Sequence, residues 1–205
     1  MTRHGAHSEL SDSTSASLIR RVRDHDPEAW RRLADIYSPL VYSWARRCSL
    51  PAEDAQDTVQ EVFRLVHRGL CNFQREQTGT SFRGWLRTIT LNAIRAHYRR
   101  AKPDLQAVGG TEAALVLQQL PADVESDSGD TVQEQRRVLH RALNVISRDF
   151  NETTWQAFHR TTLEEVPAVE VARELGMTPD AVRQARHRVL RRLREELDDQ
   201  IQEWQ

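Results

Sequence analysis

The stretch that decides the fold is Val166–Leu190, which reads VPAVEVARELGMTPDAVRQARHRVL. Val169, Ala172 and Leu175 recur at helical spacing, so the sequence predicts a short helix with one apolar face. Gly176 follows directly and suits the left-handed conformation that often ends a helix. A second helical pattern then begins within two residues. A short helix, a glycine turn and a second helix make the helix-turn-helix pattern.

The start of the second helix carries three local signals. Thr178 is a good N-cap residue, Pro179 suits the first helical position, and Asp180 complements the positive end of the helix dipole. Met177, an apolar residue in the turn, is placed to fill the space between the two helices. The residues predicted to face inward are Val182, Ala185, Val189, Leu193 and Leu197.

The outward face of this second helix is strongly basic, with Arg183, Gln184, Arg186, His187, Arg188, Arg191, Arg192 and Arg194. The first turns of a recognition helix usually enter the major groove of DNA, where arginine pairs with guanine and glutamine with adenine. The predicted base-reading residues are therefore Thr178, Asp180, Arg183, Gln184 and His187. Arg188, Arg191 and Arg192 lie further along and suit phosphate contacts. The alternative is a solvated basic face with no role in DNA binding.

Working outward from this motif, apolar residues recur at helical spacing and predict an all-α protein. Three apolar helix stripes lie before residue 102: Trp30, Leu33, Ala34, Tyr37, Leu40, Val41 and Trp44; Ala55, Val59, Val62, Phe63, Val66 and Leu70; and Phe82, Trp85, Leu86, Ile89, Ala93 and Ala96. Two more lie after residue 132: Val138, Ala142, Val145 and Ile146; and Trp155, Phe158 and Leu163.

Composition predicts two small helical domains joined by an acidic linker. Residues 1–17 are polar and predict a disordered lead, and residues 18–101 predict the first domain. Residues 102–132 are rich in Gly, Pro, Asp and Glu, which is typical of a flexible linker, with one short helix as an option at Ala113–Leu120. Residues 133–205 predict the second, helix-turn-helix domain.

Composition also narrows the class of protein. The chain has 205 residues with a net charge of -1, and it lacks the long apolar run that a transmembrane helix needs. Its 2 Cys form no CxxC pair, and its 8 His are scattered, so we expect reduced thiols, no metal and no cofactor. It contains no phosphate-binding loop, nucleophile elbow or dinucleotide fingerprint, so we expect no catalytic residues and a cytoplasmic, non-enzymatic protein.

Three ordered segments resemble extracytoplasmic-function sigma factors, a group of the sigma-70 family of RNA polymerase subunits. Ala52–Phe63, AEDAQDTVQEVF, is similar to the family's acidic helix, and Ser81–Arg100, SFRGWLRTITLNAIRAHYRR, is similar to its basic helix. Ala172–Arg183 and Val189–Leu197 resemble the family's helix-turn-helix and closing helix. Gln184-Ala185 departs from the family's usual Ser-Arg, so its base preferences do not transfer.

The resemblance implies sigma region 2 in the first domain and sigma region 4 in the second. It implies that an acidic face docks on core RNA polymerase, through Asp54, Asp57, Gln60 and Glu61. It implies that the basic helix binds the melted −10 element, through Arg87, Asn92, Arg95, Tyr98, Arg99 and Arg100. Loop 74–81 is expected to frame a pocket for a flipped base. The recognition helix is expected to read the −35 element with Thr178, Asp180, Arg183, Gln184, His187, Arg188 and Arg191.

Other interpretations stay open on the sequence alone. A stand-alone helix-turn-helix regulator shares the second domain, although it does not explain the Ala52–Phe63 and Ser81–Arg100 segments. Trp85 and Phe82 lie on an apolar stripe, so packing in the core is their favoured role. Promoter DNA and core RNA polymerase are the expected partners, and an anti-sigma factor is a further candidate.

Overall fold

A computed structural model describes residues 17–73, 81–101 and 128–197. Those residues form eight α-helices and contain no β-strand, so the all-α prediction is confirmed. In chain order the helices are α1 Ser17–Arg23, α2 Pro27–Arg47, α3 Ala52–Gly69, α4 Phe82–Ala101, α5 Ser128–Ile146, α6 Glu152–Thr162, α7 Ala168–Leu175 and α8 Pro179–Glu196. Short 3-10 helices follow α3 at Leu70–Asn72 and α5 at Ser147–Asp149.

The chain packs as two compact units. The central unit comprises Leu33–Val138, and the terminal unit comprises Met1–Arg32 together with Leu139–Gln205. Residues 18–32, which the sequence places in the first domain, thus group with the terminal unit. The domain boundaries themselves stay predictions.

The core of the central unit is built by the predicted stripes of α2, α3 and α4. Because apolar side chains recur every three or four residues, each helix turns one continuous stripe inward. The aromatic rings of Tyr37 and Phe82 meet edge to face with centroids 5.1 Å apart, and Phe73 packs on Phe82 at 6.0 Å. The buried side chains include Leu33, Tyr37, Leu40, Val41, Trp44, Ala55, Val62, Val66, Leu70, Phe82, Leu86 and Ile94.

The core of the terminal unit lies between α6, α7 and α8. Phe158 of α6 is 1 % exposed. All five residues of α8 that were predicted to face inward are buried, namely Val182, Ala185, Val189, Leu193 and Leu197. Helix α1 also packs against α8, and it buries Leu18, Ile19 and Val22. This packing fixes α8 by one face and leaves its basic face in solvent.

Three expectations are wrong in detail. Val169, predicted to lie on the apolar face of α7, is 57 % exposed, because this helix buries Val171 together with Ala172, which was predicted correctly. Leu163 is 48 % exposed, since the regular part of α6 ends at Thr162. The predicted linker 102–132 is too long, because residues 128–132 already belong to α5.

Several predictions fall outside the described residues. These are the lead at 1–16, the loop at 74–80, the linker at 102–127 with its optional short helix, and the tail at 198–205. Ser17, the last residue of the predicted lead, begins α1. Within the part of the chain that the structure describes, no helix combines the length and the apolar character that crossing a membrane requires.

Candidate functional sites

The helix-turn-helix has the local geometry that its sequence predicts. Gly176 ends α7 with φ +63°, the left-handed conformation, and the Met177 N–H donates to the Ala172 carbonyl at 2.8 Å. The Thr178 hydroxyl then caps α8 by accepting a hydrogen bond from the Ala181 N–H at 3.1 Å. Met177 packs against the cluster formed by α6, α7 and α8. The turn is therefore fixed from both sides, and the start of α8 is held in a defined position.

The first turns of α8 bring most of the predicted base-reading residues together. Arg183, Gln184, His187 and Arg188 line one hollow of about 470 Å³. The Arg183 guanidinium pairs with Asp180 of the first turn, so these two side chains form one polar unit. Donors and acceptors that project together from the first turns of an exposed helix are what reading base edges in the major groove requires. Arg191 is exposed on the next turn and suits a phosphate contact.

Arg192 does not fit the phosphate role suggested by its sequence position. Its Nε lies 3.0 Å from Asp149 Oδ2 and its guanidinium also pairs with Glu196, within the terminal unit. Glu196 is buried, and burial raises the pKa of its carboxyl group. Helical spacing could not indicate this network, because Asp149 lies 43 residues before Arg192. Arg192 therefore stabilises the unit.

On the basic helix α4, spacing of three and four residues places Asn92, Arg95 and Arg99 on one face. Asn92 and Arg99 are exposed, and the Asn92 Oδ1 accepts a hydrogen bond from Arg95 Nη1 at 3.2 Å. Beside this face lies an apolar hollow of about 410 Å³, lined by Leu65, Gly69, Asn72, Phe73, Trp85, Ile89 and Asn92. The loop at 74–81 was predicted to frame a base pocket, and its residues 74–80 lie outside the described residues.

Tyr98 is used by the core of the central unit. Its hydroxyl donates to the Cys48 carbonyl at 2.5 Å, and its ring packs against the buried cluster that contains Leu91 and Ile94. Burial raises the pKa of the Tyr98 hydroxyl. This placement gives the Tyr98 ring a packing role, and its stacking on an unpaired base stays a prediction. Helical periodicity alone does not distinguish these roles for a tyrosine.

Arg87 is also separated from the other predicted −10 residues. It lies on the face of α4 that carries Arg83, and both guanidinium groups approach the carboxylate of Glu134, at 3.9 Å and 3.7 Å respectively. Glu134, which is 2 % exposed, accepts a hydrogen bond from Trp44 Nε1 at 2.6 Å and pairs with Arg47. Sequence reasoning missed Glu134, because it is one of several Glu and Gln residues that follow the predicted linker.

The predicted polymerase-binding residues lie on one side of α3. Asp57 and Gln60 are exposed, and Glu61 pairs with Arg64 at 2.5 Å. They line a polar groove of about 390 Å³ between α3 and α4, whose walls are Asp57, Thr58, Gln60, Glu61, Arg64, Ala93, His97 and Arg100. Arg100 thus joins this groove as well as the basic helix. Asp54 lies 3.6 Å from His97 Nε2, at the same side of the unit.

Comparison with known proteins bears on the same parts of the chain. The family model of Sigma-70 region 2 matches residues 33–103. The chain is 27% identical over 193 residues to the ECF RNA polymerase sigma factor BldN of Streptomyces coelicolor, which covers 92% of this chain and 69% of BldN. It is 25% identical over 191 residues to the ECF sigma factor SigW of Bacillus subtilis, with 88% of this chain and 95% of SigW covered. SigE of Mycolicibacterium smegmatis is 28% identical over 177 residues, 82% of this chain and 62% of SigE.

Proposed function

Because the chain belongs to the sigma-70 family and is similar to its extracytoplasmic-function members, we propose that it is a sigma factor that directs core RNA polymerase to promoters. In that role it recognises the −35 and −10 elements and promotes opening of the DNA for transcription initiation. It carries no reaction of its own, since nucleotide addition belongs to the polymerase. These partners imply a cytoplasmic location, and an anti-sigma factor stays a prediction.

One observation carries the proposal. The segment that matches sigma-70 region 2 is the segment that holds the polar groove between α3 and α4, with Asp57 and Glu61 on its α3 side, and the exposed basic face of α4. A helix-turn-helix with a basic, exposed α8 follows it in the same chain. A stand-alone regulator needs only the last of these three features, the helix-turn-helix. A sigma factor needs all three, because it must hold the polymerase, a melted strand and a duplex element.

We infer that core polymerase docks on the acidic side of α3, with Asp54, Asp57, Gln60 and Glu61 as the contacting residues. Asp57 and Gln60 are exposed, so their side chains are accessible to basic residues of a partner. Complementary charges on two exposed surfaces mainly speed their association and select the correct partner.

We infer further that the two DNA elements are read by different helices. For the −35 duplex, Arg183, Gln184 and His187 around the hollow of α8 read the bases, and Arg188 beside them contacts phosphate. For the −10 strand, Arg95 and Arg99 hold the phosphates while Asn92 and the apolar hollow beside it receive a base. Extruding a base costs a few kcal/mol, which contacts to the polymerase and to the duplex must offset.

The test is transcription with purified components. The protein is mixed with core RNA polymerase, and run-off transcripts are collected from genomic fragments. We expect transcripts that the core enzyme alone does not give, starting downstream of one shared pair of elements. A protein that binds one duplex tightly by itself and yields no new transcript would instead be a stand-alone regulator.

A further inference from the structure

The first turn of α8 presents a carboxylate and a guanidinium group side by side. Asp180 Oδ1 accepts a hydrogen bond from Arg183 Nη2, which lies three residues further along the helix. Both side chains are open to solvent, with 79 % of Asp180 and 60 % of Arg183 exposed. The first turns of a recognition helix are the part that reaches base edges in the major groove. The pair is therefore accessible to a duplex without any change in the fold.

The contact between these two side chains adds little to the stability of the protein. An exposed ion pair is weak, because water screens both charges. An acid in the first turn of a helix is stabilised by the helix dipole wherever its side chain points. The Thr178 hydroxyl already caps the start of α8. Folding alone thus gives Asp180 no need to hold Arg183.

The pair offers the hydrogen-bonding pattern that complements one kind of base pair. The major-groove edge of a G·C pair presents two acceptors of guanine, N7 and O6, and then the N4 donor of cytosine. A guanidinium group has five N–H donors, so most of those of Arg183 remain when one binds Asp180. The second oxygen of the Asp180 carboxylate supplies an acceptor beside them. An A·T pair does not match, because adenine has a donor, N6, where guanine has O6.

We propose that Asp180 is a specificity-determining residue, which holds the Arg183 fork against guanine and accepts a hydrogen bond from the cytosine of the same base pair. The two side chains then read one G·C pair as a unit, which rests on the duplex-reading role proposed above for α8. Gln184 and His187 lie around the same hollow and are left to read neighbouring base pairs. The family resemblance does not supply this preference, because Gln184-Ala185 departs from the family's usual Ser-Arg.

The unit depends on both of its members. Without Asp180, the Arg183 guanidinium loses its fixed orientation and the cytosine loses its acceptor. Without Arg183, the Asp180 carboxylate faces the two acceptors of guanine, which repel it. Lysine in place of Arg183 keeps the positive charge but lacks the planar fork that binds two acceptors at once. Each change should therefore reduce the preference for G·C over the other base pairs.

The test begins with selection from a pool of random duplexes. It is run with the holoenzyme formed from the full chain and core polymerase, and separately with the full chain alone at low salt. The unsubstituted protein should select G·C at one position at least. Fluorescence anisotropy with duplexes that carry G·C, A·T or C·G at that position then gives the preference as a ratio of Kd values. A pool without any selected G·C position would overturn the proposal.

Asp180→Ala should lower this ratio by about fivefold or more, and Arg183→Ala should lower it at least as much. Asp24→Ala is the matched control, because Asp24 is an exposed acid of the same unit and its loss changes the net charge equally. The control should leave the ratio unchanged. A ratio for Asp180→Ala equal to that of the control would contradict the role of Asp180.

The double variant Asp180→Ala with Arg183→Ala shows whether the two residues act together. If they form one unit, its ratio should fall no further than that of the weaker single variant, because one substitution already destroys the unit. Losses that multiply would reveal two independent contacts and overturn the proposal. Circular dichroism checks that each variant is folded. Should Arg183→Ala lose helix, Arg183→Lys takes its place, and an unchanged ratio in that variant would count against the unit.

These measurements separate the unit from the sigma-factor function on which it builds. Promoter-dependent transcription with a ratio that ignores Asp180 removes the Asp180–Arg183 unit alone. A ratio that depends on Asp180 in the free chain, without any promoter-dependent transcript, removes the sigma-factor function and keeps the unit.

Discussion

Arg32 and Asp149, 117 residues apart in the chain, are joined by two hydrogen bonds of 2.8 Å and 2.6 Å between the guanidinium and both carboxylate oxygens. Arg192 of α8 donates to the same carboxylate at 3.0 Å. The hydrogen bond from Arg32, more than any other contact, lowers the pKa of the Asp149 carboxyl below its ordinary value. The pair therefore ties the first turns of α2 to the far end of the recognition helix within the terminal unit.

This pair predicts a pH-dependent stability. A carboxyl whose pKa is lowered by folding stabilises the protein above its unfolded pKa of about 3.9, and that contribution disappears as the pH falls through the folded value. Asp149→Asn should cost about 1–2 kcal/mol at pH 7, because the side chain is partly exposed. The difference from the unsubstituted chain should shrink as the pH falls below about 3.9 and on through the lower pKa of the folded state.

Urea unfolding followed by circular dichroism at a series of pH values measures this difference. Glu196, whose pKa burial raises, acts in the opposite direction, so the two chains must be compared at each pH. Asp24→Asn serves as the control, since Asp24 is an exposed acid of the same unit. A gap between Asp149→Asn and the unsubstituted chain that persists unchanged in strong acid would contradict this account.

The turn at Gly176 predicts a second stability effect. A Cβ at this position meets no atom within 4 Å, so only the backbone conformation at φ +63° opposes a side chain. Gly176→Ala should therefore cost about 1–2 kcal/mol, and Gly176→Asn should cost less, because asparagine tolerates this region. Thermal unfolding of both variants tests the order. Equal stability of the alanine variant and the unsubstituted chain would show that the turn does not need glycine.

The secondary structure could be predicted from the sequence wherever local signals agree. In α8 the cap at Thr178, the proline after it and an unbroken apolar stripe all indicate one helix, and its inward face is as predicted. Val169 was misplaced because α7 is only 8 residues long, and so short an apolar pattern fits two rotations of the helix. The wrong end of the linker has a similar cause, since Gly129 and Asp130 are typical of loops and are also tolerated in the first turn of a helix.

The recognition helix predicts a loss of base preference in defined variants. Arg183→Ala or Gln184→Ala should cost roughly 1–3 kcal/mol at a matched −35 site and relax selection at one or two base pairs. Sequencing of promoters selected by the holoenzyme measures the preference. Arg194→Ala is the control, because Arg194 is exposed on the same helix near its far end and is expected to touch backbone only. Identical preference in all four proteins would remove these residues from base reading.

The acidic residues on the α3 side of the polar groove predict a specific defect in polymerase binding. Asp57→Arg combined with Glu61→Arg should weaken the complex with core polymerase while helix content stays unchanged, since the partner surface is expected to be basic. Affinity measured by fluorescence anisotropy of labelled protein tests this. Asp35→Arg, a charge reversal on α2 of the same unit, should leave the affinity unchanged. Equal affinity of the double variant and the unsubstituted chain would mean that the docking surface lies elsewhere.

The functional residues were harder to predict than the helices, because long-range pairing decides which cations are exposed. Arg87 and Arg95 look alike in the sequence, yet Glu134 covers the first and leaves the second on the open face. Arg188 and Arg192 differ in the same way, since only Arg192 is held by Asp149. Spacing identifies the face of a helix, whereas the partner that approaches each face comes from a distant part of the chain.

The opening of promoter DNA tests the central claim most directly. A fluorescent base analogue is placed in the −10 element of a promoter selected by the holoenzyme, and its signal is followed as core polymerase and this protein are added. We expect a rise that neither component gives alone. Arg95→Ala with Arg99→Ala should diminish it and should flatten the salt slope of strand binding by about 1.4, since two phosphate contacts are lost. A holoenzyme that forms on this promoter without any rise in fluorescence would contradict the sigma-factor account.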